Sequence, residues 1–130
     1  MEGVWNMIYT SYFGKIRKMP ENFLPICIAN VVPKFFKGPY IIQLAPRSGL
    51  LRWWYSYADH DSEADQQYYT ERFMEQLNEL DARGMDNTIH GIAKDKVPVL
   101  VCYEKDGFCH RHLVARWLND HGIWCKEWEE

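Results

Sequence analysis

The segment Val97–Leu118, VPVLVCYEKDGFCHRHLVARWL, decides how this chain folds. In its first part, VPVLVCY, five of the seven residues are Val, Leu or Tyr, which is typical of a strand in a sheet. A short polar loop follows, and apolar residues then recur at helical spacing, namely Leu113, Val114, Trp117 and Leu118. Gly122 supplies the usual left-handed end of such a helix. The segment therefore predicts a strand, a loop and a helix.

Two further strands are predicted before this segment and one after it. The stretch MIYTSYF, from Met7, alternates in character, is rich in β-forming residues and ends at Gly14. The run FLPICIANVV, ending before Pro33, is almost continuously apolar, as expected for a strand covered on both faces. The stretch IWCKEW, after Gly122, predicts a last short strand.

The middle of the chain predicts an irregular segment followed by helices. The stretch PKFFKGPYIIQLAPRSG is interrupted by proline and glycine, so we expect an irregular path with a short extended piece at YIIQL. A helix begins near Ser48 as its cap, and a clearer one follows with Asp61 or Ser62 as its cap. The core face of the second helix is Tyr69, Phe73, Leu77 and Leu80, and Gly84 is predicted to end it.

Strands that alternate with helices over short connections predict an α/β fold. We expect a single Rossmann-like three-layer domain, with a mostly parallel sheet and helices on both faces. A chain of 130 residues fits one domain, 1–130, and can bury a stable core without disulfides or metal. Residues 1–6 are expected to form a loose N-terminal extension.

Composition and charge narrow the function classes. The net charge is -3 and the basic residues are scattered, which disfavours nucleic acid as a partner. The apolar stretches are much shorter than the roughly 20 residues that span a bilayer, so we expect a cytoplasmic protein with no membrane association. The four cysteines lie mostly in apolar, strand-like contexts, which suits reduced thiols better than a disulfide framework.

The loop and helix start after the third predicted strand carry the candidate chemistry. If Asp106 caps the helix and Gly107 is its first residue, Cys109 falls at the third position, where the helix dipole lowers the pKa of a thiol. Cys109 is then a candidate nucleophile, and His110 beside it is a candidate catalytic residue that could lower the pKa of the thiol further. Arg111 could hold a phosphate or carboxylate, and Glu104 could act as a general base or accept a sugar hydroxyl.

Several of these residues also have ordinary structural interpretations. Cys102, inside an apolar strand, is more often a small core residue than a ligand. Zinc is disfavoured, because no paired C-x-x-C spacing is present and adjacent residues at 109 and 110 diverge on a helix. We therefore expect no metal and no cofactor. A separation of seven residues leaves open whether Cys102 and Cys109 form a redox pair. The aromatic stretch Trp53–Tyr57 fits core packing better than the lining of a cleft.

The run LVCYEKDGFCHRHLVARWL resembles the family catalogued as domain of unknown function 488, found in bacteria, archaea and phages. The family signature is similar to Cys-x-Glu at a strand end followed by Cys-His-Arg at a helix start, and this chain has Cys102, Glu104, Cys109, His110 and Arg111 at those positions. The opening IYTSYFG resembles the family's first strand and turn, which implies that Ser11, Tyr12 and Gly14 reach the same sheet edge. Together with Cys102 and Arg111, they are then candidate ligand-binding residues. Family members carry an acidic residue and an arginine on the second strand, and PICIANVVP has neither, which suggests a small phage-like or bacterial member with an altered pocket.

These observations support three functional hypotheses. The first is a site for a nucleotide or another small phosphate-bearing molecule, contacted by Cys109 and Arg111 and oriented by Glu104 and Ser11. As an enzyme it would use Cys109 as nucleophile or Glu104 as base. The second is a non-catalytic binder that sequesters a nucleotide signal or docks on a protein partner. A third, nucleic-acid binding, would need a basic groove assembled by folding.

Overall fold

The computed structural model describes residues 6–105 and 107–129, and within these the chain forms one four-stranded parallel sheet. The strands are β1 (Ile8–Tyr12), β2 (Phe23–Cys27), β3 (Val97–Cys102) and β4 (Cys125–Glu127). Their spatial order is β2-β3-β1-β4. Strand β3 is buried along its whole length, as its apolar sequence predicts. In the register of β1 with β3, Tyr12 lies beside Cys102.

The described α-helices are α1 (Ser48–Ser56), α2 (Glu63–Leu77), α3 (Ala82–Ala93) and α4 (His110–Asp120). Two 3₁₀ helices, Phe13–Lys18 and Ile42–Leu44, complete the regular elements of the described residues. None of the helices in this part of the chain combines the length and the apolar character needed to cross a bilayer.

Two apolar clusters, one on each face of the sheet, form the core. On one face, Ile8, Ile26 and Leu100 pack with side chains from all four α-helices, including Phe73 and Trp117. On the other face, residues of β2 and β3 pack against the first 3₁₀ helix and the irregular segment after β2, through Phe13 and Phe36. The α/β, Rossmann-like three-layer fold with a parallel sheet is therefore confirmed. The α-helices, which were expected on both faces, lie on one face, and the first 3₁₀ helix and the irregular segment after β2 cover the other.

Several predicted boundaries differ from the structure. Helix α2 ends at Leu77, not at Gly84, and Gly84 lies inside α3, a helix the sequence analysis did not recognise. The signal was present, because Ala82, Met85, Ile89 and Ala93 are buried at helical spacing, but two glycines and an asparagine resemble turn residues.

The structure also differs from two further predictions, for one helix cap and for the middle segment. Ser62 caps α2 as predicted, accepting a hydrogen bond from the Asp65 amide. Ser48 is the first residue of α1, and the cap position is Arg47. The piece predicted to be extended near Ile42 is a 3₁₀ helix, and only Tyr40 makes an isolated parallel bridge, to Cys27. Of the predicted loose extension, residues 1–5 lie outside the described residues.

Candidate functional site

The loop between β3 and α4 lies at the carboxyl edge of the sheet. Helix α4 begins at His110, and Cys109 is its N-cap, with extended backbone angles of φ -145° and ψ 142°. The prediction that Gly107 starts the helix and that Cys109 is its third residue is therefore wrong. Gly107 has φ +80°, a left-handed conformation in which an α-helix cannot continue. Asp106, the predicted cap, lies outside the described residues.

The extended backbone at Cys109 turns its side chain toward those of Cys102 and His110. The structure brings the sulfur atoms of Cys102 and Cys109 within bonding distance of each other, as in a disulfide, and Nδ1 of His110 lies 4.0 Å from the sulfur of Cys109. The potential ligand atoms of these three buried residues all lie within 4.8 Å of one another. The expectation that residues 109 and 110 diverge on a helix fails because residue 109 is not helical.

His110 is fixed by a contact with the neighbouring strand. Its Nε2 donates to the carbonyl oxygen of Ile28 at 2.6 Å, just beyond the end of β2. This contact assigns the proton to Nε2 and leaves Nδ1 with a free lone pair facing the two sulfurs. Burial lowers the pKa of His110 to about 4, so the ring is neutral at physiological pH.

Glu104 lies between the two cysteines and a cleft at the surface. One of its carboxylate oxygens accepts a hydrogen bond from the Tyr55 hydroxyl at 2.8 Å, and the other lies 3.7 Å from the sulfur of Cys109. Burial, and then the hydrogen bond to Glu104, raise the pKa of Tyr55 to about 12. Tyr55 therefore remains a neutral donor that positions the Glu104 carboxylate.

A cleft with a cavity volume of about 140 Å³ opens beside these residues. Its wall is mainly aromatic, formed by Trp54, Tyr55, Tyr69, Tyr103 and Phe108. Glu104 and Asn30 are its polar side chains outside this aromatic wall, and Cys109 and His110 line its inner end. Trp54 and Tyr55 come from the aromatic stretch for which the sequence favoured core packing. Trp54 is indeed buried, so its ring serves both the core and the cleft.

Arg111 holds the loop between β3 and α4 in place through hydrogen bonds made inside the protein. Its side chain is 2% exposed, and its guanidinium donates to the Glu127 carboxylate, the sulfur of Cys102 and the backbone oxygens of Glu104 and Lys105. All three guanidinium nitrogens thus have partners within the chain. The anion-binding role of Arg111 remains a prediction, and its observed contacts are those of a residue that holds the loop in place.

The residues of β1 separate onto the two faces of the sheet. The Tyr12 ring lies under the Arg111 guanidinium, 5.8 Å from its carbon to the ring centroid. Ser11 is fully buried in register with Val101, so by strand alternation it points to the opposite face from Cys102. Its hydroxyl has no hydrogen-bond partner among the described residues. Gly14 is exposed in the first 3₁₀ helix and is not part of the cleft lining.

The carboxylate partner of Arg111 comes from a segment that no sequence motif connects with the loop. Glu127 belongs to β4, and it also accepts a hydrogen bond from the Thr10 hydroxyl at 2.6 Å. The acidic stretch EWEE, which begins at Glu127, is typical of a solvated segment, and only the parallel pairing of β4 with β1 brings Glu127 beside Thr10. Arginine is almost never fully buried unless it is paired, so burial of Arg111 would imply an acidic partner elsewhere in the chain. This rule is the signal that could have pointed to Glu127.

Comparison with known proteins identifies the family of the chain. Among curated proteins and among solved structures, nothing matches the chain. A family model, described as the active DUF488-N3 subclade, matches residues 13–122. That span contains Cys102, Glu104, Cys109, His110 and Arg111, whereas Thr10 and Glu127 lie outside it. The match covers most of the chain, which therefore belongs to the DUF488 family, in the DUF488-N3a group.

Proposed function

We propose that the cleft binds a nucleoside or nucleotide, with the base held among the aromatic side chains. The aromatic wall beside two polar groups is the observation that carries this proposal. Flat π-faces pack well on aromatic rings, and small-molecule sites typically combine an apolar wall with a few placed polar groups. The location also fits, because ligands of parallel sheets bind at the carboxyl ends of the strands.

The two polar groups have distinct roles in this proposal. The Glu104 carboxylate accepts a hydroxyl of the sugar, since a carboxylate has about four lone-pair sites and the Tyr55 hydroxyl occupies only one of them. Asn30 faces the edge of the base. Its amide nitrogen donates to the Pro46 carbonyl at 3.0 Å, and within the described part of the chain its amide oxygen accepts no hydrogen bond. The phosphate, which Arg111 was expected to hold, extends toward solvent.

The test is to incubate the purified protein with a metabolite extract and to measure both free and denaturation-released compounds by mass spectrometry. We expect a nucleoside or nucleotide to be depleted from solution. Phe108→Ala removes one wall of the cleft and should weaken retention. Phe35→Ala removes an exposed ring on the opposite face of the sheet and is the matched control. Equal retention by both variants, or enrichment of compounds without an aromatic ring, would contradict the proposal.

The same experiment separates an enzyme from a binder. A new compound that forms only when Cys109 is intact identifies catalysis, and the Cys109→Ala variant provides that comparison. A compound that returns unchanged after denaturation identifies a binding protein.

A further inference from the structure

Two sulfurs and an imidazole nitrogen converge at the inner end of the cleft, at the edge of β3 and the start of α4. We propose that Cys102, Cys109 and His110 bind a zinc ion, with the Glu104 carboxylate as the fourth ligand. Two thiolates and one imidazole are a donor set that zinc prefers, and a carboxylate is a common fourth partner. The proposal does not depend on what the cleft binds.

The separation of the backbones at the two cysteines favours a shared ion over a direct bond between the sulfurs. The Cα atoms of Cys102 and Cys109 are 7.8 Å apart. Disulfides usually join Cα atoms that are roughly 4.4–6.8 Å apart, and wider pairs need movement of the backbone. An ion between two sulfurs, with each Zn–S bond about 2.3 Å long, spans a wider separation without that movement.

The hydrogen bond from His110 to the Ile28 carbonyl, just after β2, fixes the ring in the orientation and tautomer that a metal ligand needs. Metal-binding histidines almost always donate their other ring N–H to a carbonyl or carboxylate, which fixes the ring and its tautomer. Here Nε2 donates to the Ile28 carbonyl, so Nδ1 faces the sulfurs with a free lone pair. The distance of 4.0 Å from Nδ1 to the Cys109 sulfur is near the roughly 3.6 Å that tetrahedral zinc geometry implies for two such ligands.

The surrounding donors favour the charged forms that zinc requires. The Arg111 guanidinium donates to the sulfur of Cys102 at 3.3 Å, a contact that stabilises a thiolate. The Tyr55 hydroxyl donates to Glu104, whose other oxygen lies 3.7 Å from the Cys109 sulfur. Cys102 and Glu104 thus each have a donor that orients the ligand atom. Glu104 also lines the cleft, so the zinc ion would lie next to a bound small molecule.

The direct test measures metal in the intact protein. After purification with a reducing agent and without chelators, we expect one zinc per chain by elemental analysis. The metal-free chain, titrated with Co²⁺, should develop thiolate-to-cobalt charge-transfer absorption together with the strong visible bands of four-coordinate cobalt. Added zinc should abolish these bands, and bound zinc should protect Cys102 and Cys109 from alkylation in peptide maps.

Variants separate ligands from residues that only support the fold. Cys102→Ser, Cys109→Ser and His110→Ala should each lose the cobalt spectrum, whereas Cys27→Ser, at a buried free thiol of β2, should keep it. Tyr55→Phe, which leaves all four ligands present, should weaken zinc binding by about 10-fold. The alkylation and cobalt measurements on the unmodified chain remain decisive if a variant fails to fold.

Two outcomes would overturn the proposal. A chain without zinc whose intact mass is lower by two hydrogens, and whose two thiols become reactive only after reduction, contains a disulfide. A chain with two freely alkylated thiols and no response to Co²⁺ has neither a disulfide nor a metal site.

Discussion

Arg111 and Glu127 form a two-point ion pair between the first turn of α4 and the last strand, with Nε 3.0 Å from one carboxylate oxygen and Nη2 3.1 Å from the other. Arg111 is almost fully buried, and the Glu127 side chain is 32% exposed. The same guanidinium holds the backbone of the loop at Glu104 and Lys105. The ion pair therefore connects the position of β4 to the shape of the candidate site.

Glu127→Gln should destabilise the protein, because it leaves the buried Arg111 charge without its counter-charge. Loss of one partner of a buried pair costs about 3–5 kcal/mol, and partial exposure of Glu127 reduces our expectation to about 2 kcal/mol in the free energy of unfolding. Chemical denaturation measures this change. Glu79→Gln breaks the exposed ion pair with Arg47 and should leave the midpoint of chemical denaturation unchanged. Equal effects of the two substitutions would refute the special role of the buried pair.

Cys125 should make the protein less stable in alkali. Burial raises the pKa of this thiol to about 12, from an ordinary value of 9.0. Between these two pKa values the folded protein keeps the proton of the Cys125 thiol, whereas the unfolded chain loses it. The contribution of this thiol to the free energy of unfolding is therefore complete below pH 9 and is lost as the pH rises toward 12. Between pH 8 and pH 10.5 the loss from this group is about 2 kcal/mol.

The measurement compares urea unfolding of the native chain and of Cys125→Val at both pH values, under reducing conditions. Other groups titrate in both chains, so the difference between the two pH dependences isolates Cys125. Parallel pH dependences would show that this thiol does not contribute.

Ser62→Ala should cost about 1 kcal/mol, since the serine side chain accepts a hydrogen bond from the Asp65 amide in the first turn of α2. Ser48→Ala is the matched control, because Ser48 is the first residue of α1 rather than its cap. Thermal unfolding of both variants tests the assignment. A larger loss for Ser48→Ala would show that the sequence-based cap was correct after all.

Gly122→Ala should destabilise the protein by about 1 kcal/mol, because Gly122 has φ +77° after the end of α4, a conformation that side chains disfavour. Gly91→Ala should have the opposite sign, since Gly91 lies in α3 and a methyl group there would meet nothing within 4 Å. Calorimetry of both variants provides the comparison, and a shift of the same sign in both would contradict it.

Local patterns predicted the fold well where one interaction dominates. Strand β3 is apolar throughout, and the face of α4 repeats Leu113, Val114, Trp117 and Leu118, so both follow from burial alone. Helix α3 was missed because glycine and asparagine have low helix propensity, and its packing under the sheet outweighs that local preference.

The site was only partly predictable. The five signature residues are close together in sequence, so their neighbourhood could be identified from the chain itself. The partners that define their roles come from distant segments: the Ile28 carbonyl fixes His110, and the Tyr55 hydroxyl orients Glu104. Gly107 has φ +80° and Cys109 has extended backbone angles, and no periodicity signal contains this local conformation.

The contacts of Glu127 also bear on the order in which the protein matures. Strand β4 leaves the ribosome after every other described strand and helix, yet it supplies the carboxylate that Arg111 and Thr10 both contact. Before β4 has emerged, the sheet lacks its edge strand next to β1, and Arg111 lacks the Glu127 carboxylate with which it pairs. Ordering of the loop between β3 and α4, and with it the proposed binding of a ligand or a metal, would thus wait until β4 has emerged and paired with β1.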